Sequence, residues 1–190
     1  MHIVIIGAGG RTGRLLVDAA AGAGHTVSAV TRREADATDA EALRPLIADA
    51  DAVISAVGPS ERSPDGILEQ STRALLHAGA GRLVTISASG PYTDGDGFFL
   101  ARVVKPILWR MLGGTWRDMR ASDALLAQSD VSWTSMRPPQ LTDKPAKGYR
   151  RALGRNVPRG IRITRADLAA ATIDALADAA TVRTSVSVAN

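Results

Sequence analysis

Short runs of consecutive apolar residues alternate along this chain with stretches in which apolar positions recur every three to four residues. The first run, Ile3 to Ile6, is four β-branched residues in succession, the composition of a strand buried on both faces. Thr26 to Val30, Asp51 to Val57 (DAVISAV), Arg82 to Ala88 (RLVTISA), Val131 to Met136 and Thr184 to Val188 read the same way, with a shorter strand at Ile161 to Ile163. Between them, Leu15, Leu16, Ala19 and Ala20 fall on one side of a helix. Thr38-Asp39-Ala40-Glu41 is a capping box that opens a helix through Ile47. Further helices are expected from about Gly66 to Ala78, from Trp116 to Gln128, and from Arg165 to Ala177 with Thr164 as N-cap. This alternation predicts an α/β, doubly wound, mainly parallel sheet with helices on both faces. No internal repeat or low-complexity linker interrupts it, so residues 1–190 are expected to form a single domain.

Gly7, Gly10 and Gly13 stand three apart in the turn between the first strand and the first helix. In that setting Gly7 permits the sharp turn, Gly10 lets the backbone approach a diphosphate, and Gly13 lets the helix pack close to the strand. The first amides of the helix then point at the anion, aided by the helix dipole. A dinucleotide is the ligand expected; the bland alternative is a glycine-rich turn that binds nothing.

The second strand ends in Thr31, Arg32 and Arg33. In a dinucleotide fold this end meets the adenosine ribose, where an acid prefers a free 2′-hydroxyl and arginine accommodates a 2′-phosphate. Arg32 and Arg33 therefore favour NADP over NAD, with NAD possible, because guanidinium pairs well with phosphate oxygens. Glu34 follows at once and can blunt that preference, and either arginine could merely solvate a sheet edge.

Composition narrows the chemistry. With no cysteine, disulfides, thiolate zinc sites and thiol nucleophiles are excluded. His2, His25 and His77 share no metal-ligand spacing, so no metal site is expected. A strand starting at residue 2 leaves no room for a signal peptide. The longest apolar stretch, Phe98 to Leu112, is broken by Arg102, Lys105, Pro106 and Arg110, so a cytoplasmic protein without a membrane partner is expected. That stretch reads as a substrate-covering flap, an oligomer surface or plain core. Either a monomer or a homodimer is compatible with it.

Lys144, Lys147, Arg150, Arg151, Arg155, Arg159 and Arg162 face only Asp143 in their part of the chain. No aromatic interleaving or DNA-binding pattern accompanies them, which leaves a solvated loop face or a site for an anionic small molecule ahead of nucleic acid.

The chain resembles the atypical short-chain dehydrogenase/reductases of the NAD(P)H-binding, flavin reductase/biliverdin-IXβ reductase type over nearly its whole length. The motifs are GAGGRTG at Gly7 to Gly13, DATD at Asp36 to Asp39, DAVISAVGP at Asp51 to Pro59, RLVTISAS at Arg82 to Ser89, SWTSMRPPQLTD at Ser132 to Asp143 and ITRADLA at Ile163 to Ala169. The resemblance implies a Rossmann-like domain in which Gly10, Arg11, Thr12 and Gly13 hold the diphosphate. Arg32 and Arg33 would take the adenosine phosphate, Asp36 and Ala37 the adenine edge, and Val57, Gly58 and Pro59 the nicotinamide ribose. Ser87, Pro138 and Pro139 would border the nicotinamide ring.

Three departures from the family pattern stand out. Only Arg33 to Ala35 intervene where the family places a helix and a strand, so the fold should be shortened after strand two, with strand order 2-1-3-4-5 and strand two at the edge. The Tyr-x-x-x-Lys pair of the wider superfamily is replaced by Trp116 and Arg120, which disfavours alcohol–carbonyl interconversion. Gln140 stands where the biliverdin/flavin reductases carry histidine. The expected activity is hydride transfer from NADPH to a conjugated acceptor such as a flavin, quinone or tetrapyrrole, an aromatic or anionic small molecule. Ser87 or Ser89 would hydrogen-bond the ring or acceptor, and Gln140 would orient the acceptor. The alternative is a non-catalytic NAD(P)-binding redox sensor.

Overall fold

The computed structural model describes residues 1–59, 65–98 and 100–190. Strands β1 (His2–Ile6), β2 (Thr26–Val30), β3 (Ala52–Ser55), β4 (Arg82–Ile86) and β5 (Ser132–Arg137) pair in parallel in the order 2-1-3-4-5, with β2 at the sheet edge. This is the arrangement expected from the short connection after β2.

Side chains alternate across a strand, and here each alternate set meets a different layer of helices. Ile3 and Ile5 of β1, Ile54 and Val84 pack with Leu16 and Ala20 of α1 (Arg11–Gly22) and Leu168 of a C-terminal helix spanning Arg165–Ala177. Val4 and Ile6, Val53 and Leu83 pack on the other side. There they meet Leu43 and Ile47 of α2 (Ala40–Ile47), Leu75 of α3 (Ile67–Ala78) and Leu126 of α4 (Lys105–Gln128). Two apolar cores therefore sandwich one sheet, and the unbroken apolar runs of β1 and β3 follow from burial on both faces.

Several expectations are corrected. Asp39, not Thr38, caps α2: its Oδ1 accepts the amides of Glu41 at 3.0 Å and Ala42 at 3.1 Å, while Thr38 is turned to Asp36. Trp116 does not begin a helix. The apolar stretch before it forms a π-helical turn, Leu100–Val104, that runs directly into the 24 residues of α4. The short connection β6 (Gln140–Thr142) pairs with β8 (Arg162–Thr164) in a separate two-stranded sheet. The basic region contains β7 (Arg150–Leu153), which runs antiparallel to β9 (Thr184–Ala189), and β9 in turn pairs with β5. β7 is two arginines followed by Ala152 and Leu153 at the sheet edge, a weak pattern that only the pairing with β9 turns into a strand.

The C-terminal helix, α5 (Arg165–Ala177), starts as expected at Thr164, whose hydroxyl accepts the Asp167 amide at 3.0 Å. α3 obtains its cap from elsewhere in the chain. The buried Asp118 of α4 accepts the amides of Leu68 at 3.0 Å and Glu69 at 2.8 Å, satisfying donors that the left-handed Gly66 leaves open.

Candidate cofactor-binding site

The glycine turn is held at the carboxyl ends of β1 and β2. The amides of Gly7 and Ala8 both donate to the Val30 carbonyl, at 2.9 and 3.1 Å. Gly7 has φ of 82°, the left-handed region that glycine enters without strain. A Cβ on Gly13 would overlap the Gly7 carbonyl and come within 2.8 Å of the Ala8 Cα, so α1 reaches its position against the turn only with glycine there. On Gly10 a Cβ would meet one atom, the Gly7 carbonyl oxygen at 3.3 Å, and would otherwise project into open space. Among the described residues no side chain caps α1, which leaves its first amides available to an anion.

In front of this turn lies a crevice of about 400 Å³. Of the residues expected to touch a cofactor, Gly7, Gly10, Arg32, Asp36, Ala37, Val57 and Gly58 line it together. Sequence reading missed Gly9, Ala35 and Ile67, which also face it. These are small or apolar residues whose role depends on which loops converge there. Arg11 is exposed, and its guanidinium donates to Asp143 at 3.2 Å; Asp143 also accepts from the buried Arg165 at 2.5 Å. Thr12 and Gly13 lie in the first turn of α1.

The end of β2 carries both signs of charge. Arg32 faces the crevice, whereas Arg33 is exposed and does not line it. The Glu34 carboxylate accepts the Thr31 hydroxyl and, at 2.8 Å, the Thr31 amide, bonds that hold its carboxyl below the usual range. Asp36 accepts the Thr38 amide at 2.9 Å and hydroxyl at 2.8 Å, which likewise lowers its pKa and shapes the turn beneath Ala37.

Pro59 belongs to a second cavity of about 570 Å³, between the start of α3 and the middle of α4, that shares Ile67 with the crevice. The two expected catalytic side chains do not enter the crevice. Ser87 is buried with its hydroxyl 3.4 Å from Asp123, and Gln140 sits on β6 with its amide oxygen accepting from Arg162 at 3.0 Å. The Ser87 amide donates to Met136, and Ser89 to the carbonyl of the buried Pro138; Pro139 is half-buried beside it.

Past the ends of β4 and β5 the fold builds a polar cluster that sequence reading missed. Asp123 accepts Ser135 at 2.6 Å, Tyr92 at 2.6 Å, and the Arg137 Nε and Nη2 at 3.0 and 2.8 Å. Arg137 stacks 3.5 Å from the Tyr92 ring centroid. Burial, then the Asp123 charge, pushes the Tyr92 hydroxyl far above its ordinary pKa. The alternation of Ser135 and Arg137 on β5 was the only local signal. Trp116 is packed under Gly90 and edge-on to Trp109 at 5.2 Å, and Arg120 lies over the Tyr92 and Trp109 rings at 5.7 and 5.9 Å, so neither replaces the Tyr/Lys pair. The basic segment is also engaged: Arg150 donates to the carbonyls of Pro158 and Asn190, and Arg151 pairs with Asp178 at 2.6 Å.

A family model described as NAD(P)H-binding matches residues 7–179, from the glycine turn to the end of α5. The chain belongs to the NAD(P)H-binding family. A glycine turn that excludes side chains, opening on a crevice at the carboxyl ends of parallel strands, fits a nicotinamide dinucleotide. The chain is 38% identical over 88 residues to a dTDP-4-dehydrorhamnose reductase of Mycolicibacterium smegmatis, a stretch covering 46% of this chain and 27% of that relative. In fold, this NAD(P)H-binding protein is similar to a Streptococcus pneumoniae protein proposed to be an NADH-flavin reductase, with TM-score 0.80, 22% identity and coverage of 100% and 99% of the two chains. It is also similar to a short-chain dehydrogenase/reductase of Veillonella parvula in complex with NADP, with TM-score 0.71, 18% identity and coverage of 100% and 94%.

Proposed function

We propose that this protein is an NADPH-dependent oxidoreductase, formed as one domain, whose acceptor is a conjugated small molecule such as a flavin, quinone or tetrapyrrole. The observation that carries this reading is the adjoining cavity. The crevice meets a larger space at Ile67, just past Gly58 and Pro59, with room for a planar acceptor beside the cofactor. When bound, the nicotinamide nucleotide supplies the hydride.

The chain's own residues would bind and position. Gly7, Gly10, Arg11, Thr12 and Gly13 would hold the diphosphate, and Asp36 and Ala37 would border the adenine. Arg32, supported at longer range by Arg33, would attract a 2′-phosphate. Val57, Gly58 and Pro59 would line the ribose, with Pro138 and Pro139 closing the nicotinamide side. Ser87, turned to Asp123, would act on the site only by fixing that carboxylate. Gln140, held by Arg162 on β6 outside the crevice, would orient an acceptor only on releasing that contact. No freely titrating hydroxyl is offered by Tyr92, so an acceptor that delocalises the arriving electron pair and takes its proton from solvent suits the site.

The test is NADPH oxidation by purified protein with a panel of flavins, quinones and tetrapyrroles. Turnover with at least one acceptor is expected, and none with any would overturn the reading. The engagement of Ser87, Tyr92 and Gln140 by other side chains favours a second reading, a redox sensor. Such a protein would bind oxidised and reduced cofactor with different affinities and consume neither, which calorimetry alongside the nicotinamide absorbance distinguishes.

A further inference from the structure

The cavity beside the crevice has two unlike walls. At the start of α3 it offers the carboxylates of Asp65 and Glu69, and from α4 it offers Met111 and Leu112, 77% and 43% exposed, with Arg117 and Asp118 beyond them. Asp118 is spent within the fold, since both its oxygens accept amides of α3. Glu69 pairs with Arg73 at 2.7 Å, an exposed contact between residues four apart that yields readily to a competing donor. Asp65 is exposed. Among the described residues lining the cavity, three carboxylates therefore stand against a single guanidinium. No residue from Lys144 to Arg162 lines it, so the basic block that suggested an anionic acceptor does not serve this space.

We propose, resting on the reading that this cavity holds the acceptor, that it selects an uncharged ring bearing N–H and O–H donors and rejects the phosphorylated form of the same ring. Met111 and Leu112 present the apolar surface on which a flat ring lies. The carboxylates of Asp65 and Glu69 accept donors from the ring edge or its hydroxylated side chain, and repel a phosphate. In a space of about 570 Å³ a guest lies within about one Debye length of these charges, roughly 8 Å at physiological salt, so salt screens them little. Arg117 is the one cation among the described lining residues that could seat a phosphate, and the acids outnumber it. Riboflavin and its 5′-phosphate, FMN, share one ring and differ in that single group, so the pair isolates charge as the selecting property.

The test is equilibrium binding of riboflavin and of FMN, read by quenching of flavin fluorescence with NADP⁺ saturating, so that the crevice is filled and no hydride is transferred. Riboflavin should bind about tenfold more tightly than FMN at low salt. Added salt should tighten FMN toward riboflavin, the opposite of what a cationic site would do. Asp65→Asn with Glu69→Gln, both on exposed or half-buried positions, should bring the two affinities within about threefold, with circular dichroism as the check on folding. Equal affinities in the wild type, a ratio unmoved in that double variant, or no binding of riboflavin would each overturn the proposal. So would FMN binding more tightly and losing its advantage in Arg117→Gln, which would make Arg117 a phosphate anchor. Turnover is read separately. Loss of selectivity with NADPH oxidation by any acceptor leaves the oxidoreductase reading standing, whereas selective binding of riboflavin without turnover by any acceptor removes that reading and keeps the selectivity.

Discussion

The Tyr92 hydroxyl donates to the carboxylate of Asp123 at 2.6 Å, from a loop residue to a helix residue 31 positions later. Three further side chains converge on that carboxylate, with Arg137 paired to it through two nitrogens. It ties the loop after β4, the helix α4 and the end of β5 into one block beside the cofactor crevice. Replacing Asp123 by alanine strands a nearly buried guanidinium, and a loss of about 3–5 kcal/mol is expected. The midpoint of urea unfolding measures it.

Tyr92 should not behave as a catalytic acid. Its hydroxyl pKa is raised by burial first and by Asp123 second, so it stays protonated through neutral and mildly alkaline pH. Tyr92→Phe is expected to cost about 1 kcal/mol of stability through the lost hydrogen bond. It should leave any NAD(P)H turnover within a few-fold of wild type; a loss of several orders of magnitude would show that Tyr92 does transfer a proton.

The glycines separate fold from ligand. Gly13→Ala places a methyl into the Gly7 carbonyl and the Ala8 backbone, neither of which can move without displacing β1, so a destabilisation of about 1–3 kcal/mol is expected. Gly10→Ala meets a single atom at 3.3 Å and should fold normally, while losing affinity for NADPH and NADH alike in a fluorescence titration. Equal affinity in Gly10→Ala would mean that no diphosphate lies over the turn.

The proposed preference for NADPH puts Arg32, which lines the crevice, and Glu34, which accepts from Thr31, under test. Arg32→Gln should weaken NADPH by about tenfold more than NADH, because one charge-assisted contact to phosphate is lost. Glu34→Gln removes a negative charge beside that phosphate and should shift the ratio of affinities toward NADPH.

Asp167 predicts the acid limb of stability. Burial alone would raise its pKa, but the Thr164 hydroxyl, the Asn190 amide and the backbone N–H groups of Lys147 and Gly148 outweigh burial and lower it. A folded-state pKa below the unfolded one stabilises the protein above pH of about 4 and is lost as pH falls further, through the folded value. Thermal melts of wild type and Asp167→Asn should therefore differ most near neutrality and converge toward the acid end.

Local chemistry and burial period determined the strands β1 to β5, the helices α1 to α3 and the glycine turn, but not the first half of α4. A run such as Ile3 to Ile6 must be buried on both faces, and a positive φ at Gly7 needs no partner to be favoured. Shortening after β2 was legible for the same reason, since Arg33 to Ala35 is too short to hold another strand and helix. Tertiary structure alone decided the fate of Asp118 and Asp123, because a carboxylate's partners depend on which strand end or helix N-terminus the sheet order brings opposite it. It also decided that Ser87 turns inward, that Gln140 leaves the crevice for β6, and that the arginines of β7 lie in an antiparallel strand. Each of those outcomes depends on contacts across tens of residues, where hydrogen-bond geometry rather than sequence spacing selects the partner.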